Sequence, residues 1–190
     1  MFSHFYVAVV VTGGMHYAFR SLCPEGTVVK AFDINEVAND VYQHNFGTRP
    51  KQVFRPHHAP ATGLAALSAA CTFQGNIERV STSELTKYGA DVWLLAPPCQ
   101  PYTRQGLQKH SADGRARSFL RLLQMLKQLP RQPRYLLLEN VVGFEASDTH
   151  HGMLQLLAES SYNVQEFILT PTQYAFPYSR PRYGTQNRCS

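Results

Sequence analysis

Cysteine is scarce and badly spaced for metal or disulfide work. The four residues are Cys23, Cys71, Cys99 and Cys189, and no two stand at CxxC spacing. Such a set indicates neither a zinc site nor a disulfide framework, and it suits a reducing compartment. Long hydrophobic runs are missing too. The longest lies around Val7 to Val11, far short of the roughly 20 apolar residues a membrane helix needs. No secretory signal with a convincing cleavage site is present. Acidic residues are the minority charge, 13 against 18 Lys and Arg, for a net charge of +5. These absences speak against a membrane protein, a metalloprotein and a disulfide-built secreted domain. The expectation is a soluble protein of the cytoplasm or nucleus.

A basic balance fits an anionic partner such as RNA, although arginines on a solvated surface give the same number. They bunch at Arg115, Arg117, Arg121, Arg131 and Arg134, and again at Arg180, Arg182 and Arg188. A chain of 190 residues is long enough for one domain with a proper core.

The stretch that carries the most chemistry is Asp91 to Thr103. Asp91 to Ala96 is an apolar run of strand length, and Val92 and Trp93 add β preference. Pro97 and Pro98 fix φ and remove two backbone donors, so the strand must end there in a stiff loop. Cys99 therefore follows the carboxyl end of a central strand, the edge where open α/β sheets form ligand crevices. Most free cysteines are small buried hydrophobes. A thiol on a rigid loop at this edge is also placed as a nucleophile.

A second apolar run, Tyr135 to Val141, contains Glu139 and Asn140 near its end. A Glu at the mouth of an apolar strand is expected to be partly desolvated, which favours its protonated form and suits general-acid work. It can equally cap the next segment or pair with an arginine.

The opening of the chain has the same logic. Phe5 to Val11 reads as a strand, Thr12-Gly13-Gly14 as a turn, and Met15, Ala18, Phe19 and Leu22 as one face of a helix. Strand, glycine turn, helix is how a nucleotide-binding α/β unit begins, though any tight turn uses glycine. Val28 to Phe32 reads as a second strand ended by Asp33. Ile34, Val37, Ala38, Val41 and Tyr42 form the next helical stripe. Asp33 can accept hydrogen bonds from a ribose, or act as helix cap with Glu36 completing a capping box.

At these residues the chain resembles the cytosine-C5 methyltransferases. The matching segments are Pro97 to His110 (PPCQPYTRQGLQKH), Leu138 to His150 (LENVVGFEASDTH) and Tyr178 to Tyr183 (YSRPRY). They are similar to the eukaryotic tRNA-aspartate and DNA-methyltransferase-homologue subfamily. The resemblance implies an α/β fold, a Rossmann-like sheet of the S-adenosylmethionine (SAM) dependent methyltransferases with helices on both faces, incomplete at the C-terminus. It implies SAM as cofactor, held by Gly13, Gly14, Met15, Asp33, Ile34, Asn76, Ile77 and Pro97. It implies Cys99 as nucleophile, Glu139 on the ring nitrogen, and Arg180 and Arg182 on the cytosine oxygen. The implied partner is nucleic acid, tRNA ahead of DNA, with no metal. Val10 and Val11 stand where the family has Ser and Gly.

On this reading residues 1–183 are a catalytic core, 51–73 an atypical insertion and 184–190 a divergent tail, with the target-recognition domain absent. The insertion holds the His57-His58 pair, which lacks a third ligand at metal spacing. Residues 105–113 read as a mobile loop, which in the family closes over the target base. Ala116, Phe119, Leu120, Leu123 and Leu126 read as a helix packed in the core. Ser147-Asp148 reads as the cap of a helix carrying Met153, Leu156 and Leu157, with a strand at Val164 to Leu169 beyond it. Three functions fit these residues: a working cytosine-C5 methyltransferase, a silent relative that acts through contacts, and a different thiol enzyme such as an acyltransferase. The last is disfavoured because no histidine is placed beside Cys99 by motif.

Overall fold

The computed structural model describes residues 5–8, 13–33, 35–50, 80–97 and 114–189. The elements in chain order are β1 (Phe5–Ala8), α1 (Gly14–Leu22), β2 (Val28–Lys30), α2 (Glu36–Phe46), α3 (Thr82–Tyr88), β3 (Val92–Leu95), α4 (Gly114–Leu126), β4 (Tyr135–Val141), α5 (Asp148–Glu159), β5 (Tyr162–Leu169) and β6 (Arg182–Cys189). The expected second strand is shorter than Val28 to Phe32. Its last residues leave the ladder, and Phe32 makes only an isolated bridge.

Among the described residues the strands form one sheet in the order β2-β1-β3-β4-β6-β5. β2, β1, β3 and β4 run parallel, while β6 is antiparallel to both β4 and β5. Chain connections leave β1 in opposite directions, to β2 on one side and eventually β3 on the other. The gap between the carboxyl ends of β1 and β3 is thus the switch point where α/β sheets hold ligands.

β3 shows why the strand is central. All four of its side chains are buried, and successive ones point to opposite faces. Trp93 and Leu95 join the large core with Leu136, Leu138, Phe119, Leu123, Leu126, Met153 and Leu157. Val92 and Leu94 face the other way, onto Met15, Phe19 and Cys23 of the α1 segment. Both faces are therefore covered, as expected. Burying each such side chain contributes roughly 1.5–3 kcal/mol.

The helix-stripe expectations are corrected at α1 and α2. Leu22 is 88% exposed and Ala18 is exposed, while the buried side chain of α1 is His16. Val37 and Val41 of α2 are exposed, and Ala38, Asn39 and Tyr42 are buried. The reason is that α1 has two neighbours. Met15 and Phe19 meet the sheet, while His16 turns to α2, stacking on Phe46 at 3.8 Å between ring centroids and meeting Tyr42 OH at 2.6 Å from Nδ1. Asp33 does not cap α2. Asn35 does, its side chain accepting from Ala38 N at 3.1 Å.

The segment after Tyr183, expected to be a divergent tail, forms most of β6. It pairs along its length with β4 on one side and β5 on the other. Its hydrophobic content is low because only alternate positions face the core. Tyr183, Thr185 and Asn187 are buried there. Asn187 Nδ2 donates to Leu136 O at 3.0 Å and to Thr185 Oγ1 at 2.7 Å, which offsets the cost of burying it. Among the described residues no helix is long and apolar enough to cross a membrane.

Candidate active site

The parallel register aligns the carboxyl ends of the central strands. Ala8 pairs with Leu95, and Leu95 with Leu138. Hence the turn at Gly13, Asp33 after β2, Pro97 after β3 and Glu139 on β4 all lie toward one edge of the sheet.

Gly13 stands at the start of α1 with φ +80°, in the left-handed region that favours glycine. A Cβ there would lie 2.4 Å from Phe46 Cε2, so α2 leaves no room for a side chain. Behind the turn, burial and then the Arg20 charge pull the His16 imidazole down to about 4, and burial pushes the Tyr42 phenol up to about 12. Both groups are neutral at neutral pH and form an uncharged wedge that fixes the glycine turn on α2. Sequence reasoning missed this wedge. The signal was Tyr42 and Phe46 at i and i+4 on one helix.

The first turn of α1 has no side-chain cap and no acidic residue, so its amides suit an incoming carboxylate. Asp33 is 8% exposed, and its Oδ1 accepts from Asn35 N at 2.8 Å. A buried carboxylate beyond β2 and amides without a side-chain cap beyond β1 thus set a hydrogen-bond acceptor and a group of donors at the same edge of the sheet.

At the other half of the site, Glu139 and Arg182 come together. β4 and β6 pair with Glu139 opposite Gly184 and Val141 opposite Arg182, so both side chains lie on one face of the sheet. Arg182 Nε is 2.9 Å from Glu139 Oε1. Glu139 is less desolvated than expected, its side chain 45% exposed. Gly184 stands across from it without a side chain to crowd the carboxylate, and a Cβ there would approach Leu138 O at 3.4 Å.

Arg180 is exposed, and the Glu139 ion pair is made with Arg182. Its backbone N donates to Thr170 Oγ1 at 3.1 Å, and its side chain has no ion pair among the described residues. Of the other arginines, Arg131 is taken up by Asp91.

Asn140, which sequence reasoning did not assign, is buried beside Glu139. Its Nδ2 donates to Pro97 O at 3.5 Å and its Oδ1 accepts from Val141 N at 2.8 Å. This side chain ties Pro97, just past β3, to the strand that bears Glu139. Cys99, Ile34, Asn76 and Ile77 lie outside the described residues, as do Val10, Val11, the 51–73 segment with His57 and His58, and the 105–113 loop. Among the described residues no group of three or more His, Cys, Asp or Glu is placed to hold a metal.

Residues 68–185 match the family model for C-5 cytosine-specific DNA methylase. The chain belongs to that family. It is 40% identical over 171 residues to the human tRNA (cytosine(38)-C(5))-methyltransferase, covering 90% of this chain and 38% of the relative. It is 36% identical over 174 residues to a Dictyostelium discoideum DNA (cytosine-5)-methyltransferase, covering 90% of this chain and 40% of that one. Among solved structures, the S. pombe Dnmt2 methyltransferase superposes with a TM-score of 0.75 at 30% identity. That match covers 97% of this chain and 51% of the other. The chain thus spans about two-fifths of the length of these curated relatives. The sheet with its inserted antiparallel strand is the methyltransferase fold, as the sequence implied.

Proposed function

We propose that this chain is the catalytic core of a cytosine-C5 methyltransferase that takes its methyl group from SAM and acts on an unpaired cytosine of tRNA. The observation that carries this reading is the Glu139–Arg182 pair at the carboxyl end of β4, joined through Asn140 to the Pro97 loop that leads to Cys99. The names of the human and Dictyostelium relatives support a nucleic-acid substrate, and the higher identity is to the tRNA enzyme.

C5 of cytosine is a poor nucleophile until the ring is made electron-rich. Cys99, as thiolate, adds to C6, and the ring becomes an enamine with its charge drawn toward N3. Glu139, in its protonated form, gives its proton to N3, which neutralises that charge, and takes it back when Cys99 leaves. Arg182 holds the Glu139 carboxyl group and binds O2. SAM, when bound, supplies a methyl group on a sulfonium for attack by C5. The α1 amides at Gly13, Gly14 and Met15 suit its methionine end, and Asp33 its ribose hydroxyls. Ile34, Asn76, Ile77 and Pro97 complete the proposed cofactor contacts. A base then takes the C5 proton, and Cys99 leaves as thiolate. The base must be out of its stack for Cys99 to reach C6, and a tRNA loop offers this at small cost. A cytoplasmic or nuclear setting follows from such a substrate.

Transfer of labelled methyl groups from SAM to a tRNA-aspartate transcript tests the reading. Label at C5 of a cytosine supports it, and folded protein that transfers none sinks it. Val10 and Val11 beside the glycine turn favour a second reading, a relative that binds RNA without transfer. Isothermal titration with SAM bears on the two, since folded protein that binds none supports the second.

A further inference from the structure

We propose that the segment joining β5 to β6 is a stacking platform for the unpaired nucleotides of an RNA loop. Tyr174, Phe176 and Tyr178 are its stacking faces and Arg180 its phosphate contact. This rests on the reading of Glu139 and Arg182 as a base-handling pair, and adds the surface that holds the RNA around the target base.

The three aromatic side chains stand at alternate positions and are 61%, 58% and 56% exposed. Three large exposed rings within five residues mark an interaction surface more often than a simple connection. Their frame is ordered before any partner arrives. Thr170 N donates to Gln173 Oε1 at 2.8 Å, Phe176 N to Pro171 O at 3.2 Å, and Tyr178 N to Phe176 O at 2.9 Å. Arg180 N closes the loop back onto Thr170 Oγ1. Pro171, Pro177 and Pro181 fix three further φ angles. Ala175, with φ +62°, turns the chain between the first two rings. Rings on such a frame bind with little further loss of freedom.

Charge selects the partner. From Thr170 to Arg182 the sequence holds two arginines and no acidic residue. Glu139 takes Arg182, so the positive charge beside the rings is that of Arg180. Aromatic faces with arginine are the means by which single strands are held without regard to sequence. A duplex keeps its base faces stacked away. The platform also adjoins the chemistry, because Arg182, where the segment ends, pairs in register with Val141 two residues beyond Glu139.

The test is binding of a labelled single-stranded RNA and of an RNA duplex of the same length, by anisotropy, to the whole chain. Wild type binds the single strand more tightly. Replacing Tyr174, Phe176 and Tyr178 together by Ala weakens single-strand binding about tenfold or more, equivalent to about 1.4 kcal/mol. Duplex binding changes less than about twofold and the Tm holds. Arg180→Gln weakens both and flattens their salt dependence. Equal wild-type affinity for the two forms overturns the proposal, as does a triple variant that still binds the single strand like wild type. Should the triple variant unfold, Tyr178→Trp gives the readout. Its fluorescence is quenched by single-stranded RNA and not by duplex, and no quenching overturns the platform. None of these measurements needs SAM, so a chain that stacks RNA but transfers nothing sinks the methyltransferase reading alone.

Discussion

Arg182 reaches diagonally across the β4–β6 ladder to place its Nε 2.9 Å from Glu139 Oε1, over the gap left by Gly184. The pair is half in water, with side chains 27% and 45% exposed. Its worth to folding is therefore small, about 0–1 kcal/mol, and the proposed role is to aim the Glu139 carboxyl group. Glu139→Gln is expected to lower methyl transfer by about 10²–10⁴-fold. The Tm should move by less than about 4 °C, as differential scanning would show. A large fall in Tm with transfer intact would make the pair structural.

The two glycines of the first turn should behave oppositely. Gly13→Ala meets both the left-handed φ and the Phe46 ring, a loss of about 2 kcal/mol or more. Gly14→Ala meets nothing within 4 Å, and stability should stay within about 0.5 kcal/mol. Urea titration of both variants checks this, and equal midpoints would contradict the turn geometry.

His16 gives the fold a pH dependence. Its folded value, lowered to about 4 from 6.5, means the native state excludes a proton that the unfolded chain takes up. Its contribution is complete above pH 6.5 and is lost as pH falls toward 4, on the order of 3 kcal/mol in all. His16→Gln should flatten the stability curve across that window. An unchanged slope would place the titration elsewhere.

Glu166 on β5 receives Tyr183 OH at 2.5 Å and meets His150 Nε2 at 2.5 Å, tying the β5–β6 hairpin to α5. Burial pushes its carboxyl up, but the hydrogen bonds from Tyr183 and His150 outweigh that and bring it below the ordinary 4.5. A lowered carboxylate contributes stability above its unfolded value and loses it as pH falls through the folded one. Tyr183→Phe should therefore be less stable than wild type near neutrality, and the gap should narrow below about pH 4.5. A gap constant with pH would remove Glu166 from the explanation.

The sequence made β3, β4, α4 and α5 legible because each carries a continuous signal. These are the apolar runs before Pro97 and through Tyr135 to Val141, the stripe of Phe119, Leu123 and Leu126, and the Ser147 cap. It misled where one element answers to two neighbours. His16 is buried against α2 although the stripe of Met15, Ala18, Phe19 and Leu22 pointed elsewhere. β6 was hidden because Thr185 and Asn187 fill core positions by hydrogen bonding rather than by apolar bulk. In the site, the motif pointed to Glu139 and Arg182 as residue types. Their pairing follows from a register that no local pattern encodes. Asn140, which ties Pro97 to β4, gave no signal beyond its place after Glu139.

The central claim is that Cys99 forms a covalent bond to C6 during transfer. The direct measurement uses tRNA carrying 5-fluorocytidine, in which C5 has no proton to lose once methylated and the adduct cannot resolve. With SAM present, wild type should give a complex that survives denaturing electrophoresis, and Cys99→Ala should give none while still binding RNA. Methyl transfer to ordinary tRNA by Cys99→Ala at the wild-type rate would contradict the account.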